Sequence, residues 1–178
     1  KFKNTNVTGS LVALCISGLI VGLILYGLVP GFIEMAQYFE LAAVNGMGMS
    51  YNMGTLVYAI VLVAAFVWSI YELYTQKSDM RIKLSILVSV VLSGMFLIGD
   101  GLVIAVLLTI ALAIYLFRFC KQIPLRIMSI TMISMFVIFV GYSSYALLLI
   151  RSSANTPMNQ NAPDNVFALS SYLNREQY

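Results

Sequence analysis

The stretch LSILVSVVLSGMFLIGDGLVIAVLLTIALAIYLFRF, residues 84–119, decides the fold. As one helix it would be roughly 50 Å long at 1.5 Å per residue, against a hydrocarbon core of about 30 Å. It is therefore too long for one crossing and too apolar to lie in water. Gly99-Asp100-Gly101 interrupts it, and a tight turn there predicts two helices, 84–98 and 102–119. Asp100, flanked by glycines, reads as turn chemistry. Ser85, Ser89 and Ser93 recur every four residues along the first helix, a small-residue stripe suited to close helix contact in lipid.

The rest of the chain agrees with a membrane setting. Of its 178 residues 61% are hydrophobic and 10% are charged, where soluble domains carry roughly 25% charged residues. Only helices and closed barrels satisfy the backbone in lipid, and these apolar runs are far longer than the ~10-residue alternating strands of a barrel. The expected fold class is all-α, a polytopic transmembrane helix bundle of about five spans: 8–29, 55–74, 84–98, 102–119 and 127–150. Residues 1–150 form that membrane region. Residues 151–178, rich in Asn, Ser, Pro and Gln, form a polar connector toward a soluble domain outside this piece. The chain begins at Lys1 rather than Met and stops just after Arg175 and Glu176, so it is expected to be part of something longer.

Pro30 and Gly31 are expected to end the first span, in which Gly18 and Gly22 form a GxxxG pair suited to a close crossing. In the following loop, residues 31–54, Phe32, Ala36, Phe39 and Ala43 share one helical face. That pattern predicts a short amphipathic helix in the interface, followed by an irregular GMGMSYNMG segment. Trp68, Tyr71 and Tyr74 close the second span as interfacial anchors.

Charge sets the orientation. With five spans, Lys1, Lys3, Lys77, Arg81, Lys83, Arg118, Lys121 and Arg126 fall on one side, and only Arg151 and Arg175 on the other. The positive-inside rule then predicts a cytoplasmic N-terminus, with residues 31–54 and 151–178 facing a periplasm-like outer side. Merging the third and fourth spans would set Arg118, Lys121 and Arg126 against Lys77, Arg81 and Lys83 and spoil the bias. A formal charge of +3 spread in this way gives no basic stripe for nucleic acid.

Several chemistries are excluded or unsupported. The chain has no histidine, which removes Ser-His triads and most zinc sites. Cys15 and Cys120 form no CxxC pair and read as small packing residues. No P-loop, GxGxxG or DxD motif occurs, and no ionisable residue lies in mid-span, as ion-coupled transporters usually require. Glu72, near the inner end of the second span, is expected to pair with a basic residue.

Glu40 is the main candidate for chemistry. Helical projection places it beside Ile33 and Ala36 at the edge of the apolar face. A carboxylate held there can act as a general base or orient a sugar hydroxyl; it can equally be a structural anchor tying the loop to neighbouring helices. Glu34 reads as a solvated carboxylate. In the tail, Asn155-Thr156-Pro157, Asn159, Asn161 and Pro163-Asp164-Asn165 make a run of turns whose amides suit carbohydrate or peptide. Residues 166–172 are spaced for a short helix capped by Asp164 or Asn165.

The tail RSSANTPMNQNAPDNVFALSSYLNREQY and the loop phrase YFELAAVNGMGMSYNMG resemble the protein O-mannosyltransferase-like membrane proteins catalogued as DUF2723, in the middle-to-late part of their membrane region. The two motifs cover about a quarter of the chain. The resemblance implies a GT-C-type glycosyltransferase of the bacterial inner membrane. Such an enzyme moves a sugar from a polyprenyl-phosphate donor to Ser or Thr of an exported polypeptide on the outer face. No further cofactor is implied. Family members carry a Trp-Asp-x-Gly-Glu motif in an earlier outer loop, whereas the only tryptophan here, Trp68, precedes Ser69. The main catalytic carboxylate is thus expected outside this piece, with Glu40 the candidate within it. Substrate-binding candidates are Glu40, Asn45, Asn52, Arg151 and Asn155, with Arg151 serving a lipid phosphate or simply snorkelling to the interface. Expected partners are the lipid bilayer, the lipid-linked sugar and the secreted acceptor. The alternative is a non-catalytic membrane subunit associated with protein-export machinery.

Overall fold

The computed structural model describes residues 7–97, 102–120, 124–154, 157–159 and 161–174. Every regular element among them is helical, in the order α1 (Val7–Leu23), α2 (Val29–Leu41), α3 (Met53–Thr75), α4 (Asp79–Leu92), α5 (Leu102–Ile114), α6 (Leu125–Tyr142), α7 (Ser144–Ser153) and α8 (Val166–Leu173). π-type turns continue the path at Ile24–Leu28, Ala42–Gly46 and Tyr115–Phe119. Four continuous helical paths, Val7–Gly46, Met53–Thr75, Leu102–Phe119 and Leu125–Ser153, are long and apolar enough to cross a membrane. The chain is an all-α membrane protein.

The first correction concerns Pro30. The helix does not stop there but runs on to Gly46. The π-turn at Ile24–Leu28 passes hydrogen bonding to the fifth residue back, with the Val29 N–H donating to the Ile24 carbonyl. Pro30 therefore enters the first turn of α2, where a missing N–H costs little. The face carrying Phe32, Ala36, Phe39 and Ala43 is helical as expected, and α3 covers much of it. Phe32 and Phe39 lie 5.6 and 5.0 Å from Tyr58, ring centre to ring centre, and Ala36 and Ala43 are buried. Phe139 of α6 completes this aromatic core, 5.2 Å from Phe32 and 5.5 Å from Phe66. Such ring pairs add packing energy in lipid, where no hydrophobic force drives helix against helix.

The serine stripe performs as expected. Ser85, Ser89 and Ser93 are fully buried, and Ser89 Oγ donates to the Ala65 carbonyl of α3 at 2.9 Å. Higher up, the Tyr58 hydroxyl donates to the Leu92 carbonyl at 2.8 Å. The GxxxG pair behaves differently. A Cβ at Gly18 or Gly22 would meet nothing within 4 Å, and α1 has no buried residue. A close glycine crossing lies elsewhere. A Cβ at Gly31 would collide with the Gly94 carbonyl, and one at Gly94 with the Gly31 carbonyl. Gly94 also holds a φ of +71°, a left-handed conformation that costs glycine nothing.

The split of residues 84–119 is supported by end-to-end contacts. Lys83 Nζ, near the start of α4, donates to the Cys120 carbonyl just past α5's final π-turn, at 2.7 Å. The other end of α5 shares a cavity wall with Met35 and Tyr38 of α2, through Leu102 and Ala105. Helices α4 and α5 therefore run in opposite senses, as two separate passes require. However, α4 has only 14 residues, about 21 Å, and it gives way to a turn at Ser93–Phe96 beside Gly31. The Gly99-Asp100-Gly101 turn itself lies outside the described residues.

Two ends result. At one are Lys77, Arg81, Lys83 and Arg118, joined by Arg126 because α6 climbs from there toward Phe136 and Phe139. At the other are the 47–52 loop and the tail, joined by a 3.0 Å hydrogen bond from Asn52 Nδ2 to the Asp164 carbonyl. Near the basic end, Glu72 is fully buried; it pairs with Arg81 at 2.5 Å and accepts from Trp68 Nε1 at 3.2 Å.

Candidate functional site

The polar cluster at the loop end is built around Glu40. Its position on the buried side of α2, next to Ile33 and Ala36, leaves it 1% exposed. The chain turns back over residues 48–52 and begins α3 with Asn52 as N-cap, at a φ of +69°. That left-handed residue swings the first N–H groups of α3 toward α2. Glu40 Oε1 accepts the Asn52 N–H at 2.5 Å, and Oε2 accepts the Thr55 N–H at 2.8 Å and the Thr55 hydroxyl at 3.1 Å. Glu40 is thus a capping carboxylate supplied by a neighbouring helix. It satisfies orphan donors and sits favourably at the positive end of the α3 dipole. Gly54 makes the approach possible, since a Cβ there would come within 2.5 Å of Glu40 Cα and 2.6 Å of the Phe39 carbonyl.

This geometry matches the anchoring role weighed for Glu40 in the sequence. Both carboxylate oxygens are engaged by α3, so a proton-accepting role requires those bonds to break. Asn52 belongs to the same cluster: its N–H is held by Glu40, its Nδ2 by Asp164, and its buried Oδ1 has no partner among the described residues. Asn45 stands apart, exposed on the Ala42–Gly46 turn. Glu34 accepts a long 3.4 Å bond from the Tyr38 hydroxyl. Asn155 lies outside the described residues.

The tail folds back on the bundle. Asn165 is the cap of α8, its Oδ1 accepting from the N–H groups of Phe167 and Ala168 at 3.0 and 2.9 Å. Val166 and Leu169 are buried, and α8 packs on α2. Arg151 is exposed in the last turn of α7 and borders a cavity of about 250 Å³ between α7, the tail and α8. Sequence reasoning located each of these residues but not the Asn52 to Asp164 bond, which spans 112 positions. The left-handed Asn52, as well as Asn161 and Ala162 at φ values of +66° and +37°, had no sequence signal beyond turn-forming composition.

Among the described residues no three His, Cys, Asp or Glu side chains gather as a metal site. Compared with known proteins, the chain matches no family model, no curated protein and no solved structure.

Proposed function

We propose that this chain is the later membrane part of a bacterial inner-membrane glycosyltransferase, one that transfers a sugar from a polyprenyl-phosphate donor to Ser or Thr of exported proteins. One observation carries the reading. The two segments that resemble the O-mannosyltransferase-like family, residues 38–54 and 151–178, have their described parts at the same end of the bundle, joined by the Asn52 to Asp164 hydrogen bond. Segments over a hundred residues apart that share one resemblance and one location are what a common outer-face cleft requires. In that reading Asn52 lies where the two segments join, the exposed Asn45 is on the same loop, Glu40 holds the loop rather than the proton, and the attacking hydroxyl is deprotonated by a carboxylate supplied elsewhere. The basic end faces the cytoplasm and the loop end the periplasm.

The test is transfer of radiolabelled sugar from a polyprenyl-phosphate donor to exported acceptor protein, in membranes with and without the gene. Loss of label on deletion is expected; unchanged labelling would remove the enzyme reading. A non-catalytic subunit associated with protein export is the second reading, favoured by the engagement of both Glu40 oxygens. It predicts unchanged glycans and impaired export.

A further inference from the structure

The cavity at the end of α7 has a composition that selects its ligand. Its polar wall carries Arg151, Asn159 and Tyr172, and its apolar wall Leu148, Met158 and Pro163. The Asn159 amide is already spent: Nδ2 donates to the Ser152 carbonyl at 3.2 Å, and Oδ1 accepts from Ser152 Oγ at 3.1 Å. Those bonds fix the tail against the helix and hold the wall rigid. By contrast, the Arg151 guanidinium and the Tyr172 hydroxyl make no hydrogen bond or ion pair among the described residues. Among the described residues no carboxylate borders the cavity. The free polar capacity is therefore a positively charged, donor-only guanidinium beside a hydroxyl that can also donate, which suits an anion. Arginine's planar fork fits two phosphate oxygens at once.

The apolar wall identifies the anion's source. Leu148 lies on the same helix as Arg151, less than a turn before it. The neighbouring Leu147 and Ile150 are about two-thirds exposed, as side chains facing lipid would be. A soluble anion gains nothing from Leu148, Met158 and Pro163, whereas an amphiphile places its headgroup on Arg151 and its glycerol and upper chain against them. We infer that this cavity binds the phosphate headgroup of an anionic bilayer phospholipid, which pins the tail to the membrane surface. The inference stands whether or not the chain takes part in sugar transfer.

The full chain would be reconstituted in nanodiscs of phosphatidylcholine mixed equally with phosphatidylglycerol and extracted into detergent. Native mass spectrometry would then count the lipid retained. Wild type should retain phosphatidylglycerol in preference to phosphatidylcholine. Arg151→Gln should lower that retention about tenfold, the equivalent of one charge-assisted hydrogen bond, and Arg151→Lys should recover part of it. Tyr172→Phe should cause a smaller loss. Since Arg151 is exposed, Arg151→Gln should fold, as Trp68 emission can verify. Arg118→Gln, at the opposite end, is the control for general charge. Equal retention by wild type and Arg151→Gln, or an equal loss from Arg118→Gln, would overturn the inference. So would displacement of the lipid by inorganic phosphate, which would mark a soluble-anion site.

Discussion

Replacing Glu40 separates a cap from a catalyst. In Glu40→Ala the N–H groups of Asn52 and Thr55 lose their acceptor in a place where Glu40 itself was 1% exposed. A fully buried donor left unpaired costs about 1–3 kcal/mol; both bonds here are part-buried, so the lower part of that range applies and the pair gives roughly 2–4 kcal/mol. In a chain of this size 1 kcal/mol moves the melting temperature by about 2–4 °C, so a fall of about 10 °C is expected. Glu40→Gln keeps one oxygen acceptor but turns an amide NH2 toward the other donor, and about half that loss is expected. The chain's single tryptophan, Trp68, lies on the helix that Glu40 caps. Thermal unfolding in detergent can therefore be followed by its emission. If Glu40→Ala melts within about 0.5 kcal/mol of wild type, the size of an ordinary surface substitution, the capping argument is wrong. Loss of sugar transfer by Glu40→Gln at unchanged stability would return Glu40 to the chemistry.

Gly31→Ala should destabilise by several kcal/mol, because both colliding groups are backbone and neither can rotate away, whereas Gly18→Ala and Gly22→Ala should stay within about 0.5 kcal/mol of wild type; melting curves in one detergent decide this. Arg81→Ala strands the fully buried Glu72 carboxylate and should cost about 2–3 kcal/mol, discounted because Arg81 is half exposed. Adding Glu72→Gln should restore most of it, and a double mutant no more stable than Arg81→Ala alone would refute the pairing. Asn165→Ala removes the α8 cap at a cost of about 1 kcal/mol. It should speed amide exchange in residues 166–173 while leaving α3 protected, as hydrogen-exchange mass spectrometry can resolve.

Patterns written in neighbouring residues were legible in the sequence. The four-residue spacing of Ser85, Ser89 and Ser93 announced a packing face, Asn165 announced a cap, and the charges around Lys83 and Arg118 placed two helix ends together. Glu40's place beside Ile33 and Ala36, at the edge of the apolar face, was legible too. Its partners were not, because they depend on a left-handed Asn52 that composition alone does not require. Pro30 misled for a related reason: a proline ends a helix only when the ladder needs its N–H, and the π-turn before it changes that need. Gly18 and Gly22 look better suited to a crossing than Gly31 and Gly94, which lie 63 positions apart. Only the fold brings that second pair together.

The cap on α3 also bears on biogenesis. A helix entering lipid with bare N–H groups carries unsatisfied donors into a medium that offers none in return. Here the acceptor sits on α2 and is made first, only 12 residues before the first donor it meets. By the time α3 emerges from the ribosome, the carboxylate that completes it is already synthesised. The acceptor and its donors are therefore both present once α3 is made, and a nascent chain cut between them would leave α3 without its cap.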